Sequence, residues 1–175
     1  ESIYTRGTRS EVDVRLLGKA DAQEAGGGAL LRAVKDASAV QGLSQAVASD
    51  LFYSVEDADK FNGLAIRMNA LSLDNVTGNG GTGSDLSSIY VVGWGEDAVI
   101  GLNPAGTPAG LSFENKGEER TTDSNGDVYY VGVSQFEWAY GLAVQDDRQI
   151  QRLANIETVG STNIFDSDTA DDLID

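Results

Sequence analysis

With 175 residues and 41% hydrophobic side chains, the chain is long enough to bury one real core and too apolar for bulk disorder. It has no cysteine and no histidine, which excludes disulfide stapling, thiol nucleophiles, imidazole bases and the commonest zinc ligands. A net charge of −16, from 12 basic and 28 acidic residues, sets the surface against bare nucleic acid and anionic membranes.

No apolar run approaches the roughly 20 residues needed to span a bilayer, and no secretory signal pattern is visible. The chain opens on Glu1 and its one methionine is Met68, so it is expected to start inside a longer product. Residues 1–28 are polar and end in Gly26-Gly27-Gly28. Ser10 followed by Asp13 can cap a short helix over residues 11–19. Val12, Val14 and Leu16 also alternate as in a strand, so both readings stand.

The strongest helix signal runs from Ala29 to Tyr53, without proline and with one internal glycine, Gly42. Leu30 and Val34 begin an apolar stripe that Val40, Leu43, Val47 and Leu51 continue at spacings of three and four. At about 1.5 Å per residue such a helix is nearly 40 Å long, so it needs something broad to lie against. Residues 57–69 form a compact segment around Phe61, Leu64, Ile66 and Met68.

A glycine-rich loop, Gly78 to Gly83, precedes a change of signal to β. Ile89 to Val92 is a continuous apolar run, as in a strand buried on both faces. Gly93 to Asp97 reads as a turn, and Ala98 to Leu102 as a second strand. Both prolines, Pro104 and Pro108, fall in the turn region Asn103–Gly110. Asn125-Gly126 marks a tight turn in an acidic loop. Tyr129, Val131 and Val133 then alternate, and Phe136, Trp138, Tyr140, Leu142 and Val144 alternate in the opposite phase. That change predicts a turn or bulge near Ser134-Gln135. A last strand spans about Gln149 to Ile156, with Arg152 in register with Ile150, Ala154 and Ile156. The acidic end, with Asp166, Asp168, Asp171, Asp172 and Asp175, is expected to be solvated or mobile. A long helix followed by clustered strands is an α+β pattern, and no internal repeat is present.

Motifs for chemistry are weak. Gly78-x-Gly80-x-x-Gly83 matches a dinucleotide fingerprint as text, but it does not open a helix and no lysine follows, so a plain flexible loop is the better reading. Glu114, Glu118, Glu119 and Glu137 offer carboxylates, yet nothing sets two of them opposite each other, and Glu118-Glu119-Arg120 reads as a solvated loop. Asp123, Asn125 and Asp127 suggest a calcium loop, but the glycine falls too early, and a β-turn explains them. Phe136, Trp138 and Tyr140 fit a core-facing strand better than a sugar or base platform. Asn75-Val76-Thr77 spells a glycosylation sequon, with no sign of a secreted eukaryotic protein around it.

Several segments in a fixed order resemble tailed-bacteriophage major capsid proteins of the HK97-like fold. They are Ser10–Asp13, the helix ending Ala48–Tyr53, Asp59–Ala65, Gly80–Gly83, Ser88–Gly95, Ala109–Leu111, Gly117-Glu118, Trp138, Gly141–Val144, Asp147-Arg148 and Arg152–Ile156. The resemblance covers about residues 10–156. It implies a spine helix in a peripheral domain and an axial, β-rich domain. Residues 1–56 would hold the N-terminal segment and spine, 57–145 the axial domain and links, and 146–175 a return strand and acidic end. Such proteins usually carry a longer N-terminal arm with an extended loop, and a further segment beyond the position of Asp175, so the chain is expected to be partial. Some members crosslink through lysine and asparagine, and neither position is matched here.

The function implied is structural and not enzymatic. Copies would form hexamers and pentamers of an icosahedral shell in the virion, assembled in the host cytoplasm. The shell would enclose double-stranded DNA without reading its sequence, with scaffolding, portal or decoration proteins as further partners. No cofactor, metal or membrane is implied. Arg148, Arg152, Glu118 and Glu119 are the expected inter-subunit polar contacts, against a plainer reading as solvated charge. An encapsulin-like compartment shell and a carbohydrate-binding β-protein are the competing readings.

Overall fold

A computed structural model describes residues 2–57 and 59–174. In chain order the elements are β1 (Tyr4–Asp13), α1 (Val14–Gln23), α2 (Gly27–Tyr53), α3 (Leu64–Arg67), β2 (Val76–Gly78), β3 (Leu86–Val92), β4 (Val99–Leu102), β5 (Leu111–Thr122), β6 (Val128–Val144), β7 (Ile150–Glu157) and α4 (Ser167–Ile174). This is the expected α+β class. The chain divides into two compact units, each built from discontinuous segments. One holds Ile3–Asp50 and Asn103–Tyr140; the other holds Leu51–Leu102 and the chain from Gly141 onward. The division cuts the expected 57–145 span between Leu102 and Asn103.

In the first unit, β6 is flanked by β1 and β5, both antiparallel to it. Tyr4 pairs with Tyr140 and Asp13 with Val131, without a break. β5 pairs Leu111 with Trp138 and Thr122 with Val128, with a register shift between Asn115 and Gly117. The predicted irregularity near Ser134-Gln135 is therefore displaced onto the partner strand: β6 itself runs straight through. Its phase change has another cause. From Val131 to Ser134 every residue is buried, because both faces are covered there. Beyond Gln135, Phe136 and Tyr140 continue the buried set on the face that meets α2.

β1 alternates cleanly, with Ser10 and Val12 buried and Arg9 and Glu11 exposed. The two readings of residues 10–19 are both realised, one after the other. The strand ends at Asp13, whose carboxylate accepts from the Arg15 amide and caps α1. α1 and α2 then fold back on each other through close backbone packing. The Gly28 amide donates to Asp21 Oδ1 at 2.8 Å, and a Cβ on Gly28 would stand 2.9 Å from the Leu17 carbonyl oxygen. That packing lets α2 begin at Gly27, two residues before the predicted start.

α2 has 27 residues, about 40 Å of helix. Leu43 and Val47 are buried as the stripe predicts, but Leu30 and Val34 are 64% and 60% exposed. The reason lies in the face chosen. Arg32, Asp36, Leu43, Val47 and Asp50 share one side at helical spacing, and this side meets the sheet. Polar anchors therefore hold the first half of the helix, and the apolar pair there turns outward.

In the second unit β7 lies between β2, parallel to it, and β3, antiparallel to it. β4 pairs with the end of β6, from Val99–Val144 to Leu102–Gly141. The Ile89–Val92 run is not buried on both faces as expected: Val91 is 49% exposed, because β3 is an edge strand. β7 carries a bulge. Ile156 pairs with Ser87 and Leu153 with Ile89, so Ala154 and Asn155 together oppose Ser88. Asn155 sits at φ 59, in the left-handed region that asparagine tolerates. The extra residue brings Leu153 and Ile156, three apart, into one cluster with Ile89. Phe61, Leu64 and Met68 are buried, as predicted for their segment.

The glycine-rich loop is pinned at its start: the amides of Asn79 and Gly81 donate to the carbonyls of Ala154 and Asn155. Asp166, Asp168 and Asp171 are exposed, in keeping with a solvated acidic end. Asp175 and the side chain of Asp172 lie outside the described residues.

Candidate functional site

Three polar clamps fix the elements, and the surfaces they leave open are the candidates for contact with other molecules. The first clamp joins the C-terminal part of α2 to the sheet. Arg6 from β1 donates Nη2 to Asp50 Oδ1 at 2.8 Å and Nε to Oδ2, while the Tyr140 phenol also donates to Oδ2. Asp50 is buried. The bond to Asp50 raises the Arg6 pKa above its ordinary value, so the guanidinium stays charged. Burial, together with the bond to Asp50, pushes the Tyr140 phenol above its ordinary 10, so it remains a donor. The Tyr4 ring lies edge-on to Tyr140 with centroids 6.1 Å apart and closes that side.

The second clamp joins the first half of α2 to β6. Arg32 donates to Ser134 Oγ at 3.1 Å, to the Val133 carbonyl at 2.9 Å and to Asn115 Oδ1 at 2.8 Å. The Ser134 hydroxyl donates to Asp36 Oδ2 at 3.0 Å. Ser134 is fully buried, so the bonds at its hydroxyl are shielded from water, while the Arg32–Asn115 bond is exposed.

The third clamp lies in the second unit. Arg152 donates to Ser88 Oγ at 3.0 Å and to the Met68 carbonyl, and its guanidinium lies 5.5 Å from the Tyr90 ring centroid. Burial raises the Tyr90 phenol, and the Arg152 charge offsets part of that rise.

The expected contact residues fall in different places. Arg152 directs its donors inside the chain. Arg148 is exposed and bonds Asp146 at 2.8 and 2.9 Å; that guanidinium holds the Asp146 carboxyl below its ordinary range. Glu118 and Glu119 lie in strand β5, not in the solvated loop predicted for them. The ladder with β6 orders this segment although its side chains are polar on both faces. Glu119 pairs with Arg9 from β1, so the two flanking strands join above Val133, which is fully buried beneath them. Glu118 is exposed and has no ion-pair partner among the described residues. Glu118 and Glu119 belong to the first unit, and Arg148 and Arg152 to the second.

Asp123 caps the turn into β6, its Oδ1 accepting from the amides of Asn125 and Asp127, with Gly126 at φ 89. This is the predicted β-turn. Among the described residues no group of three or more acidic side chains is arranged to hold a metal ion. None of the helices among them is long and apolar enough to cross a membrane.

Sequence reasoning missed two things. Asp50 was not singled out as a site residue, although it shares a helical face with Arg32 and Asp36. Leu111 and Phe113, 40% and 59% exposed on β5, alternate with Ser112 and Glu114 as in a strand, a signal too short to have been singled out.

The architecture is that of a capsid-type shell protein. One chain of the bacteriophage Epsilon15 structure matches with a TM-score of 0.64 at 24% identity, over 93% of this chain and 52% of that one. The SrpI encapsulin of Synechococcus elongatus PCC 7942 matches with a TM-score of 0.61 at 13% identity, over 91% of this chain and 76% of that one. These likenesses establish the HK97-like fold. This chain spans about half the length of the Epsilon15 chain it matches. No curated protein matches it in sequence. The family model for major capsid protein GP7 matches residues 1–175, and the chain belongs to that family of virion capsid proteins.

Proposed function

We propose that this chain is a structural subunit whose copies form the hexamers and pentamers of an icosahedral shell around a phage's double-stranded DNA, with no catalytic role. The family match over residues 1–175 carries the reading. The physical features agree with it. Two polar clamps brace the helix-bearing unit and a third braces the other unit, and a long helix lies against a sheet, as a tile under load requires. A charge of −16 keeps packaged DNA from adhering to the wall. In this reading the helix-bearing unit is the peripheral domain and the second unit the axial one. Glu118, Glu119 and Arg148 are its exposed charges for neighbouring subunits, whereas Arg152 braces its own unit. Scaffolding, portal and decoration proteins are the further partners proposed.

The likeness to the SrpI encapsulin supports a second reading, a cellular compartment shell. Purified particles of the intact protein separate the two by content. Genome-length, nuclease-protected DNA is expected; an enzyme cargo without DNA would transfer the chain to the encapsulin reading, and an isolated monomer under all assembly conditions would end both.

A further inference from the structure

The dipeptide Asn-Gly occurs three times, as Asn62-Gly63, Asn79-Gly80 and Asn125-Gly126. Each sets a side-chain carboxamide beside a main-chain amide that no side chain crowds, because glycine has no Cβ. Such a pair reacts without a catalyst: the amide nitrogen attacks the carboxamide carbon and closes a five-membered ring. The fold treats the three pairs very differently.

Two of them are held. The Asn62 carboxamide accepts from the Glu56 amide at 2.8 Å and donates to Glu56 Oε2 at 2.9 Å. The Gly63 amide donates to the Ser54 carbonyl at 2.8 Å, and a Cβ on Gly63 would stand 2.5 Å from the Phe52 carbonyl oxygen. Ring closure there breaks all of these bonds in a tightly packed place. The Asn79 carboxamide donates to the carbonyls of Asn163 and Ile164, at 2.6 and 3.2 Å, and the Asn79 amide donates to the Ala154 carbonyl. Both asparagines are half-buried.

Asn125 differs on each count. It is exposed, and among the described residues its carboxamide makes no hydrogen bond. Gly126 sits at φ 89 with nothing within 4 Å of where a Cβ would stand. Its amide does donate, to the Asp123 carbonyl at 3.1 Å, but that bond closes a single turn. Residues 122–128 are all exposed, so opening the turn disturbs no buried packing and is the cheapest kind of fluctuation a fold offers.

We propose that Asn125-Gly126 is a site of spontaneous covalent modification, at which asparagine is converted to aspartate and isoaspartate in the folded protein. The Gly126 nitrogen bonds to Asn125 Cγ, the bond from Cγ to the side-chain nitrogen breaks, and that nitrogen leaves as ammonia with the proton given up by the Gly126 amide. The product is a cyclic imide. Water then opens it at one of two carbonyls. Attack at Cγ restores the main chain and leaves aspartate; attack at the Asn125 main-chain carbon routes the chain through the side chain and leaves isoaspartate. Nothing is oxidised or reduced, and water is the one co-reactant.

Each conversion adds a negative charge between Asp123 and Asp127, where like charges already sit. Isoaspartate also lengthens the main chain inside the turn whose amides, at Asn125 and Asp127, donate to Asp123 Oδ1. The tip of the β5–β6 hairpin is therefore a point of chemical ageing, while Asn62 and Asn79 are protected.

The test uses the intact chain and needs no partner. Folded protein is held in mildly alkaline buffer, sampled over time, digested under acidic conditions and mapped by mass spectrometry, with the asparagine, aspartate and isoaspartate peptides separated by chromatography. Conversion at Asn125 is expected to run at least tenfold faster than at Asn62 or Asn79, to yield both products, and to speed up with pH as the attacking amide loses its proton. In chain unfolded by urea that advantage is expected to vanish. Equal rates at the three sites in the folded protein, or no conversion at Asn125, overturn the proposal. The same preference for Asn125 in the unfolded chain overturns the claim that the fold selects the site. None of these outcomes bears on the shell-subunit reading.

Discussion

Replacing Asp50 with alanine removes the carboxylate shared by Arg6 and Tyr140 and takes from the guanidinium and the phenol their common acceptor. Breaking a buried pair by deleting one member costs about 3–5 kcal/mol. Here the Arg6 side chain keeps 33% of its exposure while that of Asp50 keeps 11%, so water recovers part of the guanidinium's loss. The expected cost is therefore about 2–4 kcal/mol, with Tyr140→Phe costing about 1–2 kcal/mol for the loss of one charge-assisted bond. The three groups form one network, so the double variant Asp50→Ala/Tyr140→Phe should cost less than the sum of the singles, by about 1 kcal/mol. Urea unfolding followed by tryptophan fluorescence, with the slope checked for constancy, measures each value. A cost below about 0.5 kcal/mol for Asp50→Ala, or strict additivity, would refute the idea that this clamp holds α2 to the sheet.

Ser134→Ala should destabilise by about 1–3 kcal/mol, because Asp36 loses the hydroxyl that donates to it in a fully buried position; the same unfolding assay reads it. The raised Tyr140 pKa sets a pH dependence. The folded value lies above the unfolded one, so the stabilisation is complete below about pH 10 and is lost as pH climbs from there toward the folded value. Tyr140→Phe should flatten that alkaline decline, and an unchanged slope would contradict the assignment. Asn155→Gly should be tolerated, while Asn155→Val should cost about 1–2 kcal/mol, since a β-branched residue at φ 59 is strained and the bulge aligning Leu153 with Ile156 depends on it.

The sequence showed most clearly those parts whose burial follows a simple period. α2 was legible because helix-breaking residues are absent from 29–53, and Leu43 and Val47 sit at the right spacing. Leu30 and Val34 misled, because hydrophobicity cannot reveal that Arg32 and Asp36 occupy the sheet-facing side through hydrogen bonds to Ser134. Most of β5 was invisible for a related reason: beyond Phe113 it is polar on both faces and has no apolar alternation, and only its partner β6 makes it a strand. The phase change in β6 was read correctly as a pattern and assigned to the wrong strand, since double coverage at Val131–Ser134 produces the same signature as a bulge. The contact residues proposed from sequence were chosen for charge alone. Charge does not distinguish Arg152, which is folded inward onto Ser88, from Glu118, which is exposed.

A single reconstruction by electron cryo-microscopy of particles formed by the intact protein addresses the central claim most directly. The account predicts closed icosahedral shells in which every subunit shows one unbroken rod of about 40 Å for residues 27–53, laid along the β6 strand. Open aggregates without symmetry, or a shell whose subunits show this segment broken into short pieces away from β6, would contradict it.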